Sequence, residues 1–296
     1  MRLFQHSLIP SLFFASAVTA AVAAIDPECP AATCRSRSTD DVNQPDYLIV
    51  GAGGAGLQTA LFLLRSPLTA SFAVLEKRDT VGSFWKTFPR FDELISINKS
   101  VRNETQRFRY DWHSFLESDL GMLDVTTDYF PTGREWHRYM DRVVHETPGL
   151  RERIEFGVDV ERIASDGTPC LYVKGGGKRC ARKRVFVGTG LKLKDEPYLR
   201  AIGGIPYSEA TRERAMNQRV CMLGNGNSGF DLAQNLIPVA DRVTLYGRSP
   251  HRLSTVTRYT GDVRVKYLQA LENINGKLLD TVDYFTKGLP TIVGEE

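Results

Sequence analysis

The chain has 296 residues, 42% of them hydrophobic and 25% charged, and a formal net charge of +3. These values exclude a disordered or collagen-like chain, and so small a charge gives no basis for a nucleic-acid partner or an anionic membrane surface. The length suits one large domain or two medium ones, since single cores stop growing beyond about 250 residues.

The first 24 residues read as a signal peptide. Arg2 gives a basic start, Leu8 to Ala24 carries no charge, and Ala21 and Ala23 stand in the A-x-A relation of a cleavage site. The apolar run is short for a membrane span, which needs about 20 residues. The competing reading is an uncleaved signal anchor, and only then would the chain meet a membrane. Residues 25–45, rich in Pro, Ser and Asp, read as a linker.

Tyr47 to Val50 is a continuous apolar strand, as expected of a parallel strand buried on both faces. A glycine turn follows, then a helix over about 55–64 ended by Ser66-Pro67, then a strand over Phe72–Leu75. This is a βαβ unit. The turn, Gly51-Ala52-Gly53-Gly54-Ala55-Gly56, matches G-x-G-x-x-G directly between strand and helix. Gly51 permits the tight turn, Gly53 lets the backbone approach a pyrophosphate, and Gly56 lets helix and strand pack closely. The pyrophosphate would sit on the helix N-terminus, where unpaired N–H groups and the dipole favour negative charge. Glu76 ends the second strand, 25 residues beyond Gly51, in the place of a carboxylate that binds ribose hydroxyls.

Residues 84–130 are aromatic-rich and irregular, and Trp136, Tyr139, Met140 and Val143 give Arg134–Glu146 helical spacing. Ile154–Ile163, Cys170–Lys174 and Arg179–Val187 alternate and read as strands of one smaller sheet. The last ends in Gly188-Thr189-Gly190. The basic run Lys178, Arg179, Arg182, Lys183 and Arg184 reads as a solvated strand face.

A second βαβ unit begins about 173 residues after the first, with a strand over Val220–Leu223, a helix over Ser228–Leu236 and a strand over Arg242–Tyr246. Its turn, Gly224-Asn225-Gly226-Asn227-Ser228-Gly229, has the same spacing. No acid ends the second strand here. Arg248, with Ser249 beside it, stands where Glu76 stands in the first unit. A carboxylate there would repel a 2′-phosphate, whereas a guanidinium binds it with bidentate hydrogen bonds. NADPH is therefore favoured over NADH. The expected fold class is α/β with two Rossmann-type units, residues 46–200 binding FAD and 201–296 binding NAD(P).

The five cysteines include two candidate disulfide pairs, Cys29 with Cys34 and Cys170 with Cys180, if the chain enters an oxidising compartment. There is no C-x-x-C. Cys221 lies within an apolar strand pattern and reads as a buried, inert thiol. The histidines His6, His113, His137, His145 and His251 are scattered without metal-ligand spacing and read as structural, so no metal is expected. Asn98-Lys99-Ser100 and Asn103-Glu104-Thr105 are N-glycosylation sequons.

The arrangement resembles the two-dinucleotide-binding flavoprotein superfamily, in which FAD sits on the first unit and a nicotinamide on an inserted second one. Val187-Gly188-Thr189-Gly190 resembles its A-T-G segment. Glu76-Lys77-Arg78 with Val81-Gly82-Ser83-Phe84-Trp85 is similar to the E-K-R…G-G-x-W stretch of flavin-containing monooxygenases. Phe130-Pro131-Thr132 before Glu135 and Tyr139 is similar to their F-P-x-x-x-E-x-x-x-Y helix start. A further resemblance, over roughly residues 46–275, is to the FAD-dependent oxidoreductase domain-containing proteins of the endoplasmic reticulum, flavoproteins linked to degradation of misfolded glycoproteins. It rests on Gly82-Ser83-Phe84, Ile95-Ser96-Ile97-Asn98-Lys99, Asp111-Trp112, Asp128-Tyr129-Phe130-Pro131, Gly226-Asn227-Ser228 and Tyr259-x-Gly261-Asp262.

This resemblance implies FAD held by Gly51, Gly53, Gly54, Ala55, Gly56, Glu76, Lys77, Trp85, Thr189 and Gly190. It implies NADPH held by Gly224, Gly226, Asn227, Ser228, Gly229, Arg248 and Ser249, and a catalytic role for Asn98 beside the flavin. In that role Asn98 carries no glycan, which leaves Asn103 as the glycosylation site. Three departures stand out. The fingerprint F-x-G-x-x-x-H is missing, with Ile202-Gly203-Gly204-Ile205-Pro206-Tyr207 in its region, which argues against oxygenation. Ser83 replaces a glycine of G-G-x-W. The chain stops at Glu296, where superfamily members return to close the FAD domain, so that closure is expected to be missing. The expected function is an FAD- and NADPH-dependent oxidoreductase in the endoplasmic reticulum lumen or secreted. It would act on a small-molecule or protein-thiol substrate and meet folding or degradation machinery. The alternatives are a flavin-containing monooxygenase and a truncated, non-catalytic flavoprotein fold that binds partners.

Overall fold

The computed structural model describes residues 44–91, 93–94, 97–98, 113–165, 167–190, 200–224 and 227–246. The expected signal peptide, Cys29, Cys34, Asn103, Gly226 and the segment from Gly247 onward, with Arg248 and Ser249, lie outside them.

In chain order the strands are β1 (Tyr47–Val50), β2 (Phe72–Glu76), β3 (Ile154–Phe156), β4 (Val160–Ser165), β5 (Pro169–Val173), β6 (Lys178–Cys180), β7 (Arg184–Val187), β8 (Arg219–Leu223) and β9 (Arg242–Tyr246). The principal helices are α1 (Gly54–Arg65), α2 (Gly133–Glu146) and α3 (Asn227–Leu236). The sheets are a parallel one of order β3-β2-β1-β7, an antiparallel one of order β4-β5-β6, and the parallel pair β8-β9.

The apolar run of β1 is explained by its place at the centre of a three-layer stack. Ile49 faces α1 and α2, in a core with Leu57, Leu61, Val74, Tyr139, Met140 and Val143. Leu48 and Val50 face the other way, packing with Leu75 against Leu171 of β5 and Ala181. A strand covered on both faces cannot alternate apolar with polar residues. Helix α2 starts with a capping box. The Glu135 amide donates to Thr132 Oγ1 at 3.1 Å, and the Thr132 amide donates to Glu135 Oε2 at 2.7 Å. Its apolar stripe of Trp136, Tyr139, Met140, Val143 and Val144 is buried.

The single small sheet expected over 154–187 divides between two sheets. Ile154–Phe156 joins the parallel sheet beside β2. Gly157, at φ +75, then turns the chain, and Val158 donates to the Glu76 carbonyl at 2.9 Å. Only 160–165 enters the antiparallel sheet. The 179–187 run breaks likewise. The amides of Arg182 and Lys183 donate to the carbonyls of Pro45 and Asp46, both at 2.9 Å, which swings 184–187 into register beside β1. Alternation marked the strands but not their partners. In the basic run, Arg182 and Lys183 reach Asp46 at 3.2 and 3.4 Å.

Cys170 and Cys180 are directly opposite each other on β5 and β6 and form a disulfide. Cys221 corrects the sequence reading, because its thiol is exposed. Along β8 it is Met222 that enters the second core, with Phe230, Leu236, Val243 and Leu245. The period of two therefore turns Cys221 to the opposite face. Partial desolvation still pushes its thiol pKa up.

Candidate dinucleotide-binding sites

The first site lies beyond the C-terminal ends of β1, β2 and β7. Gly51 leaves β1 at φ +97, with its amide donating to the Leu75 carbonyl at 2.8 Å. A Cβ on Gly51 would stand 2.7 Å from the Gly188 carbonyl oxygen, and one on Gly56 would fall inside the Gly51 carbonyl oxygen. Gly188 completes the collar. Its amide donates to the Val50 carbonyl at 2.8 Å, and a Cβ on it would come 3.1 Å from the Gly56 nitrogen. Strand, helix and returning strand thus meet backbone to backbone, which only hydrogen side chains permit. Thr189 and Gly190 follow on the surface, Gly190 at φ +70.

The start of α1 is built for an anion. The first amides of any helix lack intrahelical partners. In α2 the Thr132–Glu135 box meets that need, but α1 has no side-chain cap and no acid in its first turn. The space beside it is open, since a Cβ on Gly53 or Gly54 would meet nothing within 4 Å. Ala55 occupies the same first turn. Donors without a cap, a positive dipole end and clear space fit a pyrophosphate.

Glu76 is 8% exposed. Its carboxylate accepts from the Ala52 amide at 2.7 Å and from the Arg78 amide at 2.8 Å, tying the tip of β2 to the glycine loop. The sequence suggested a ribose ligand and missed this clamp. Lys77 is exposed and pairs with Asp159 at 2.9 Å. Gly82, at φ +55, donates its amide to the Ala52 carbonyl at 2.9 Å, and a Cβ on it would fall into the Met140 side chain. It thereby fixes Trp85, which meets Phe84 and Trp136 edge to face.

The second site repeats the first. Gly224 has φ +115, and its amide donates to the Tyr246 carbonyl at 2.6 Å. A Cβ on Gly229 would fall inside the Gly224 carbonyl oxygen, as with Gly56 and Gly51. Helix α3 also starts without an acid in its first turn. Asn227 opens that helix and Ser228 beside it is exposed.

Asn98 sits on the short ladder made by Leu94 and Asn98 against Tyr129 to Thr132. Its backbone amide donates to the Tyr129 carbonyl at 2.8 Å, and its Nδ2 donates to the Thr126 carbonyl at 2.9 Å. The atom that would carry a glycan is thus engaged inward. Oδ1 is buried and has no partner among the described residues. His113 is fully buried beside Trp136, and His137 Nε2 lies 3.0 Å from the Thr80 hydroxyl. Burial, with help from Lys86, lowers the His137 pKa. Between the two units, sequence reading missed Arg90, Tyr207 and Asp231. No local motif marks them, and only the acid inside an otherwise amphipathic α3 gave a signal.

The family model described as pyridine nucleotide-disulphide oxidoreductase matches residues 48–287. FAD-dependent oxidoreductase domain-containing protein 2 of Danio rerio is 34% identical over 262 residues, covering 84% of this chain. The chain spans 36% of the length of the curated relatives it matches at this level. Among solved structures, a flavin monooxygenase from Stenotrophomonas maltophilia shares the fold with a TM-score of 0.60 and 19% identity, over 81% of this chain and 70% of that one. The bacillithiol disulfide reductase of Staphylococcus aureus does so with a TM-score of 0.54 and 15% identity, over 82% and 67%.

Proposed function

The chain belongs to the pyridine nucleotide-disulphide oxidoreductase family, and from that premise we propose that it is an FAD-dependent oxidoreductase of the secretory pathway whose flavin is reduced by NADPH. The observation that carries this reading is the duplicated glycine collar. Two helices begin without an acidic first turn, each against a strand end that only glycine permits. When bound, FAD supplies the redox chemistry and NADPH the reducing equivalents.

The chain's own residues bind and orient. Amides at the start of α1 would hold the FAD pyrophosphate, while Glu76 keeps their loop in place and would serve a ribose hydroxyl with its remaining lone pairs. Thr189, whose Cα would stand 3.4 Å from a Cβ on Gly51, borders the same opening, and Trp85 and Gly190 would complete the flavin site. Amides at the start of α3 would hold the second pyrophosphate, and Arg248 with Ser249 would take the 2′-phosphate. The electron acceptor would be a small molecule, a protein thiol–disulfide couple or oxygen. The Cys170–Cys180 bond supports maturation in an oxidising compartment, as in the endoplasmic reticulum lumen, where folding or degradation machinery would be the partner.

The experiment is an anaerobic titration of the full chain purified from secretory expression. Yellow protein whose visible flavin absorbance bleaches on adding NADPH supports the proposal. Folded, colourless protein refutes it and favours a non-catalytic fold. A monooxygenase reading rests on Asn98, whose buried Oδ1 is an acceptor with no partner among the described residues. Oxygenated amine or sulfide product, formed in step with NADPH consumption, would establish it.

A further inference from the structure

Two dinucleotide cradles are useful to one reaction only when each is held at a set position relative to the other. Two of the described contacts between the first unit and the second meet at one side chain, Tyr207. Tyr207 donates its hydroxyl hydrogen to Asp231 Oδ2 at 2.9 Å, and its oxygen accepts the Arg90 backbone amide at 2.9 Å. The Arg90 guanidinium reaches past it, Nε donating to the Ala210 carbonyl at 2.8 Å. The Tyr207 ring stacks on Phe88 with centroids 6.1 Å apart, and Phe91 packs against the second unit's core.

Each end of this contact is anchored to a glycine collar. Asp231 is 2% exposed and lies four residues beyond Asn227, on the helix that opens the second cradle. Phe88 to Phe91 follow the turn whose Gly82 amide is bonded to the Ala52 carbonyl of the first loop. The start of α2 holds the same segment, because a Cβ on Gly133 would stand 2.7 Å from the Phe88 carbonyl oxygen. A rigid path therefore runs from the first loop through Gly82, Phe88–Arg90, Tyr207 and Asp231 to the second loop. An unpaired buried carboxylate or amide is costly, so the hydroxyl, which serves both, is chemically hard to replace. Burial, and then the Asp231 carboxylate, push the Tyr207 pKa up, so the hydroxyl keeps the proton it donates.

We propose that Tyr207 is a positioning residue that locks the second dinucleotide cradle to the first through Arg90 and Asp231. The consequence for turnover rests on the oxidoreductase reading above, but the lock itself does not. Tyr207→Phe deletes one oxygen and keeps the ring stacked on Phe88.

The test combines two measurements on the full chain. Amide hydrogen exchange is followed without nucleotide. In Tyr207→Phe, exchange is expected to accelerate in 88–91 and in 227–236, with β1, α1 and α2 unchanged. Asp231→Asn with Tyr207 intact, whose side-chain oxygen still accepts from the tyrosine, should retain most of the protection. Flavin reduction by NADPH is then followed in the flavin-loaded chain. Its rate should fall about tenfold to a hundredfold, as a misplacement near 1 Å would cause, while the Kd for FAD and for NADPH each change less than about twofold, since neither cradle is altered. Unchanged exchange in 88–91 and 227–236 would overturn the lock. So would a loss of nucleotide affinity equal to the loss of rate. A wild-type chain that NADPH cannot reduce would sink the oxidoreductase reading, and the exchange result would still decide the lock.

Discussion

Gly53→Val separates holding a cofactor from holding the fold. Gly53 has φ −84 and ψ −172, an extended conformation open to any residue, and a Cβ there meets nothing within 4 Å. Valine therefore fits the ligand-free chain, and stability should change by less than about 0.5 kcal/mol. The same space is where a pyrophosphate must meet the amides at the start of α1. Pushing the phosphates away loses charge-assisted hydrogen bonds worth about 1.5–3 kcal/mol each. Two such bonds lower flavin affinity by about a hundredfold or more. Gly56→Ala is the opposite case. Its Cβ would fall inside the Gly51 carbonyl oxygen, and both atoms belong to the backbone. Helix and strand must then separate, at a cost of about 1–3 kcal/mol as for overpacked cores. The assay is denaturant unfolding of each ligand-free variant alongside a flavin-fluorescence titration. Wild-type flavin affinity in Gly53→Val would refute the cradle. A stability loss in Gly53→Val as large as in Gly56→Ala would refute the distinction between open space and close approach.

Glu76→Gln can keep one of its two amide acceptors at best and loses the charge, so the chain should be destabilised by about 2–4 kcal/mol; a change under about 1 kcal/mol in urea unfolding would mean that the loop holds itself. Replacing both Cys170 and Cys180 with serine opens a closure of 10 residues and should cost about 2–3 kcal/mol, read as the gap between the oxidised wild type and the variant that disappears under reductant. Arg248→Glu should weaken NADPH about tenfold to a hundredfold while NADH is little changed; an unaltered preference in inhibition by the two oxidised nucleotides removes Arg248 from the site. Glycan mapping of secreted protein should find Asn103 occupied and Asn98 bare, because Asn98 Nδ2 is held by the Thr126 carbonyl; a glycan on Asn98 would exclude it from the interior.

The two Rossmann units were legible because their signal is local. Strand, glycine turn and helix occupy consecutive residues, and the glycines at 51, 56, 224 and 229 stand where a Cβ has no room or φ is positive. The Thr132–Glu135 capping box was visible for the same reason. What escaped is non-local. Nothing in Arg184 to Val187 announces that its partner is Tyr47 to Val50, so the antiparallel hairpin and the parallel strand were merged. Cys221 was misassigned because an apolar run does not reveal which of its alternate side chains meets the core. Glu76 was recognised by position, but its bonds to Ala52 and Arg78 depend on how the β2 tip turns toward the loop. The meeting of Arg90 and Tyr207 spans 117 positions and leaves no periodic trace.

The collar around Gly51 also dictates an order of events during synthesis. β1 and α1 leave the ribosome early, yet their closing partner is Gly188, whose amide bonds to Val50 and whose backbone abuts Gly56. Until residues 184–188 have emerged, one edge of β1 has no neighbour and the helix start has no third wall. The intervening α2 and the antiparallel sheet cover the two faces of β1 but leave that edge open. Pairing of such distant segments is slow and leaves strand edges open meanwhile. A nascent chain of this protein therefore passes through a long interval in which its most apolar strand is already made and half covered, the interval in which a chaperone has something to hold.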